Sequence, residues 1–96
     1  MTVVIQIGNS DNKLTQNEWA HFCVAAQLAI APNVIRLHFK GGSDWDAAWQ
    51  NACWVCELGS NSIDKLKSEL STLCRQFSQD SIAITCGETE FITGAK

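Results

Sequence analysis

Val3, Ile5 and Ile7 alternate with Val4 and Gln6, a period-two pattern that predicts a strand ending at Gly8. Asn9-Ser10-Asp11-Asn12 follows, rich in side chains that bond their own backbone and so mark a turn. The period then changes. Trp19, Phe22, Cys23, Ala26 and Ile30 fall on one stripe at helical spacing. At its start Thr15 and Glu18 have the spacing of a capping box, in which hydroxyl and carboxylate each satisfy a free backbone N–H. Leu14 and Trp19 are placed to form the accompanying hydrophobic staple, which predicts Trp19 in the core. Pro32 stops the helix, because the residue before a proline avoids helical angles.

Val34 to Lys40 predicts a second strand, with Ile35, Leu37 and Phe39 on one face and Arg36, His38 and Lys40 on the other. Gly41-Gly42 ends it. Asn51 to Leu58 predicts a third, with Ala52, Trp54, Cys56 and Leu58 inward and Asn51, Cys53, Val55 and Glu57 outward, where Glu57 can meet Arg36 or Lys40. Ser60-Asn61-Ser62 supplies caps for a second helix whose stripe is Ile63, Leu66, Leu70, Leu73 and Phe77. Ile82, Ile84 and Cys86 share one face of a last strand, Ser81 to Cys86. The tail through Thr89 and Phe91 is expected to continue it past a bulge at Gly87.

The order β-α-β-β-α-β predicts an α+β domain of ferredoxin-like type spanning residues 1–96. It is a four-stranded antiparallel sheet with two helices on one face and the other face open. Composition agrees with a globular chain: 46% apolar and 18% charged residues. A net charge of −3 argues against a general phosphate-backbone binder, so nucleic acid is not the expected partner. The open face is expected to show Gln6, Arg36, His38, Lys40 and Thr85, a partly self-neutralised surface. No apolar run reaches the ~20 residues that cross a bilayer, so no membrane partner is expected.

Five cysteines form an odd set in apolar-patterned segments, and the N-terminus shows no signal-like pattern. They read as reduced core residues of a cytoplasmic protein. Cys53-Trp54-Val55-Cys56 has redox spacing, but side chains three apart on a strand point to opposite faces and cannot share a metal or a disulfide.

The topology brings three connections to one end: residues 8–13, 41–50 and 78–81. Three of the four tryptophans lie between 41 and 54, and Trp45 and Trp49 fall in a loop, where an uncovered ring is costly. Asn9, Ser10 and Asp11 come from the first loop and Asp80 from the third. Asp44, Trp45, Asp46, Trp49, Gln50 and Asn51 come from the second and the strand start beside it. Acidic loops around aromatic rings suit a protein contact, with tryptophan as anchor and carboxylates reading basic groups. Two alternatives stand beside this: a small polar ligand sequestered between loops 8–13 and 41–51, and metal-dependent chemistry on the loop aspartates. Neither His21 nor His38 assembles a triad, and no catalytic residue, resident metal or cofactor is expected. A homodimer is open, through the edge of the second strand or the loop tryptophans.

Ile-Gly-Asn-Ser-Asp-Asn-Lys-Leu-Thr-Gln-Asn-Glu-Trp (7–19), Trp-Gln-Asn-Ala-Cys-Trp (49–54) and Gln-Asp-Ser-Ile-Ala (79–83) resemble a family of small actinobacterial and actinophage proteins. That family carries no established activity, ligand or catalytic residue. The resemblance implies only a phage-type accessory or inhibitor that binds a host protein or a host signalling molecule.

Overall fold

Thr15 opens the first helix as its spacing requires. Its hydroxyl accepts from the Glu18 N–H at 3.2 Å, and the Glu18 carboxylate accepts from the Thr15 N–H at 2.9 Å. The bond from the Thr15 backbone, aided by its hydroxyl, holds the Glu18 carboxyl below its ordinary pKa. The computed structural model describes residues 1–9, 13–44 and 46–94. Its elements are β1 (Thr2–Gly8), α1 (Gln16–Ile30), a 3-10 turn (Ala31–Asn33), β2 (Val34–Gly42), β3 (Asn51–Leu58), α2 (Ile63–Gln76) and β4 (Ala83–Gly87). At the end of α1, Pro32 is joined by Asn33, whose side-chain amide donates to the Ala29 carbonyl at 2.8 Å.

The fold is α+β. Four strands form one antiparallel sheet in the order β2-β3-β1-β4. Val3, Ile5 and Ile7 of β1 and Trp54, Cys56 and Leu58 of β3 are buried on one face. Trp19, Phe22, Ala26 and Ile30 of α1 and Leu66 and Leu70 of α2 complete the same core, so both helices lie on that face. Phe22 sits at its centre, 4.9 Å from the Phe77 ring and 6.1 Å from Trp19. Trp54 is fully buried, and its indole N–H donates to Oε1 of Gln27 at 2.6 Å, which spares the core an unpaired donor.

The second strand departs from its sequence pattern. Its pairing with β3 shifts between Val34 and Arg36 and again between Leu37 and Phe39. Each bulge inserts a residue and flips the alternation that follows. Leu37 therefore pairs with Cys56 and Lys40 with Trp54 on the helix side, while Arg36 pairs with Glu57 and Phe39 with Val55 on the open side. The expected division, with Ile35, Leu37 and Phe39 together and Lys40 opposite them, is corrected. The Lys40 ammonium lies 6.0 Å from the Trp54 ring centroid.

Three further expectations change. Ser62 caps α2 in a helical conformation without a side-chain bond. The tail does not prolong β4: residues 88–94 form no strand, and Phe91 and Ile92 are exposed. All five cysteines are free, but only Cys56 is buried: Cys23, Cys53 and Cys74 are half-buried, and Cys86 is exposed on the short edge strand β4. Cys53 and Cys56 do face opposite ways, Cys56 into the core and Cys53 outward.

Candidate functional site

β1, β2, β3 and β4 bring their 8–15, 43–50 and 78–82 connections to one end of the sheet, as the register of Gly8 with Asn51, Gly42 with Ala52 and Gln6 with Ala83 requires. Two layers of that end differ in character. The inner layer is a buried polar node. Asn9 is 2% exposed and Gln50 is 4% exposed. The Asn9 side chain donates to the Leu14 carbonyl and accepts from the Leu14 N–H, both at 3.0 Å, and donates to Oε1 of Gln50 at 3.3 Å. The Asn9 N–H donates to the Gln50 carbonyl at 2.8 Å, and the Gln50 amide donates to Oε1 of Gln16 at 2.8 Å. These bonds tie the end of β1, the start of α1 and the start of β3 into one rigid base.

The outer layer is the β2–β3 loop. Ser43 clamps its base: the Ser43 hydroxyl accepts from the Asn51 N–H at 2.9 Å, and the Ser43 N–H donates to the Asn51 carbonyl at 3.0 Å. The Ala47 N–H donates to the Asp44 carbonyl at 3.0 Å, which turns the chain. Above that turn Asp44 and Asp46 are exposed, and Trp49 is 74% exposed. Asn51 is also exposed, with its backbone committed to Ser43.

The residues singled out from sequence thus divide into four groups. Asp44, Asp46, Trp49 and Asn51 are each exposed, on the β2–β3 loop and the strand start beside it. Asn9 and Gln50 face inward and brace it rather than presenting their side chains. Ser10, Asp11 and Trp45 lie outside the described residues. Asp80 is exposed at the same end and pairs with Lys13, its carboxylate 3.3 Å from the ammonium. Its loop enters β4, on the far side of β1 from the β2–β3 loop. At the usual strand spacing that is on the order of 12 Å across the sheet. The expected gathering of the aspartates is therefore a spread along the sheet end. Among the described residues, no three His, Cys, Asp or Glu side chains are grouped to hold a metal ion.

Between loops 8–13 and 41–51, where a ligand pocket is expected, the described residues include Asn9 and Gln50, which hydrogen-bond to each other. Recesses lie instead on either side of the segment entering β4. One of about 430 Å³ is lined by Gln6, Gly8, Gln79, Asp80, Ser81 and Ala83. Another of about 380 Å³ lies between α2 and β4, with Leu70, Ile82 and Ile84 beside Lys67, Arg75 and Ser71. Sequence reasoning missed both, because they depend on where α2 ends against β4.

The open sheet face carries a row that the bulges created: Phe39, Val55, Val4 and Thr85 are paired across all four strands. The Phe39 ring folds over Gly41, where an added Cβ would fall 2.6 Å from Cζ. Arg36, Glu57 and Thr2 form the next row. Glu57 accepts from the Thr2 hydroxyl at 2.7 Å, pairs with the Met1 amine at 3.1 Å and lies 3.2 Å from Nε2 of His38. Those partners, Thr2 foremost, lower its carboxyl to about 2.

Comparison with protein-family models, with curated proteins and with solved structures finds no match to this chain.

Proposed function

We propose that the chain is a small non-catalytic binding module of ferredoxin-like architecture that engages a partner protein through its β2–β3 loop. One observation carries this: Trp49 is 74% exposed on the same loop as exposed Asp44 and Asp46, and the base of that loop is clamped. An exposed indole gives up the gain of burial in the free protein and recovers it in a complex. Tryptophan is a frequent hot-spot anchor, and carboxylates at its rim steer a basic partner. The hydrogen-bonded base limits the ordering that binding would otherwise cost. Burial raises the thiols of Cys23, Cys56 and Cys74 above their ordinary pKa, which suits reduced cysteines in a cytoplasmic protein. A host protein is the partner class implied by the resemblance to small actinobacterial and actinophage proteins. The test is a folded Trp49→Ala variant, which loses the partner retained by the parent chain.

A second reading, sequestration of a small polar ligand, draws support from the 430 Å³ recess beside Gly8 and Asp80. Mass spectrometry of the denatured purified protein tests it by releasing a bound molecule.

A further inference from the structure

The two helices share one layer, yet their outward faces differ. On α2 the exposed positions include Asp64, Lys65, Lys67, Ser68 and Thr72, as a solvated face should. On α1 they include Ala20, Val24 and Leu28, with Val24 58% and Leu28 68% exposed; Ala31 continues the strip in the following turn, and Asn17 and His21 are the exposed polar residues at its N-terminal end. The buried stripe of α1 is Trp19, Phe22, Ala26 and Ile30, so Val24 and Leu28 lie on the opposite side of the helix, away from the sheet. A helix that is apolar on both sides is ordinarily covered on both. No Asp, Glu, Lys or Arg occurs between Glu18 and Arg36, so nothing along this strip would select a charged partner.

Beside the strip lies a recess of about 250 Å³, walled by Ile30, Ala31, Val34, Ile35, Leu37 and Trp54, with one polar side chain, Gln27, among them. It opens between the end of α1 and the bulged start of β2. One surface therefore carries an apolar knob, Leu28, and a mostly apolar-walled recess less than a turn further along the chain. That combination is what a two-fold contact needs, since each copy must offer both halves of the fit.

We infer that the outward face of α1 is a homodimer interface, in which Leu28 of each protomer enters the recess beside Ile35 of its partner. A face without Asp, Glu, Lys or Arg meets its own copy without their repulsion, although the chain as a whole has a charge of −3. From their fractional exposures, Ala20, Val24, Leu28, Ala31, Ile35 and Leu37 offer on the order of 500 Å² per protomer, the apolar centre of an interface that takes roughly 800 Å² from each partner. This surface is separate from the β2–β3 loop, and the inference does not depend on the function proposed for that loop.

Size-exclusion chromatography with light scattering tests it on the full chain from micromolar to millimolar concentration. The parent protein is expected to show twice the monomer mass at the upper end, with dissociation insensitive to NaCl because no ion pair holds the contact. Leu28→Lys places two ammonium groups in the contact and is expected to weaken dimerisation at least ~100-fold. Leu28 is mostly exposed in the monomer, so the circular dichroism of that variant should be unchanged. Leu28→Met, which keeps an apolar knob, is expected to remain dimeric, as is Trp49→Ala. A parent chain that is monomeric at every concentration overturns the inference. So does a Leu28→Lys variant that stays dimeric, or a dimer that Trp49→Ala dissociates.

Discussion

Asn9 and Leu14 are joined twice, the Asn9 side chain donating to the Leu14 carbonyl and accepting from the Leu14 N–H at 3.0 Å each. This pair ties the end of β1 to the residue before the Thr15 cap of α1, and it buries Asn9, which sequence pattern alone assigns to a contact surface. Asn9→Leu leaves the Leu14 N–H and carbonyl short of the side-chain partner they share, at about 1–3 kcal/mol for each group left unpaired. The expected loss of stability is about 2–4 kcal/mol in urea unfolding. A loss below about 0.5 kcal/mol, the level of an ordinary surface substitution, would contradict the bracing role.

Gln27 and Trp54 make a similar commitment deeper in the core. Gln27→Ala strands the indole N–H of a fully buried tryptophan, and about 1–3 kcal/mol should be lost. Trp54→Phe removes the donor as well as the bond. In the Gln27→Ala background it should therefore cost less than in the parent chain, a coupling that a double-mutant cycle measures.

Gly42 and Gly41 should respond differently to alanine. A Cβ on Gly42 would run into the Asn51 carbonyl and lie 3.2 Å from the Ala52 Cα, both on the backbone of β3. Neither can move without opening the hairpin, and about 1–3 kcal/mol of overpacking is expected. A Cβ on Gly41 meets only the Phe39 ring, a side chain free to turn away on an exposed face. Gly41→Ala should thus be the milder change in thermal unfolding, and the reverse order would count against this register.

Glu57 gives the pH dependence a sign. Its folded carboxyl is lowered to about 2 by Thr2, the Met1 amine and His38, whereas an unfolded glutamate titrates near ~4.3. A depressed acid contributes stability that is complete above ~4.3 and is lost as pH falls toward about 2. The melting temperature should decline across that window, and Glu57→Gln should flatten the decline. An equally steep acid limb in the variant would show that the loss comes from other carboxylates.

The helices were legible in the chain because their signals are local. The Thr15–Glu18 box, the Trp19-to-Ile30 stripe and Pro32 fix α1 without any tertiary information. The third strand was equally plain, because alternation from Asn51 to Leu58 runs unbroken. The second strand was not. Ile35-Arg36-Leu37-His38-Phe39-Lys40 alternates perfectly as text, and only the pairing with β3 reveals two inserted residues that put Phe39 outside and Lys40 over Trp54. The candidate site divides along the same line. Trp49, Asp44 and Asp46 are exposed as loop composition suggests, but nothing local distinguishes them from Asn9 and Gln50. Those two are buried by bonds between segments about 40 residues apart. The apolar outer strip of α1 was visible in the sequence as an absence of charge, and its meaning depended on knowing which side the core occupies.

The central claim is that the β2–β3 loop binds a protein through Trp49. Affinity purification from the native host tests it most directly, with the parent chain and a Trp49→Ala variant of equal circular dichroism carried side by side and retained proteins quantified. The account predicts a protein held in near-stoichiometric amount by the parent chain and lost by the variant, with titration of the purified pair giving at least a ~30-fold weaker Kd, the ~2 kcal/mol of a hot-spot residue. Retention of the same protein at equal affinity by both chains, or of no protein by the parent, would contradict it.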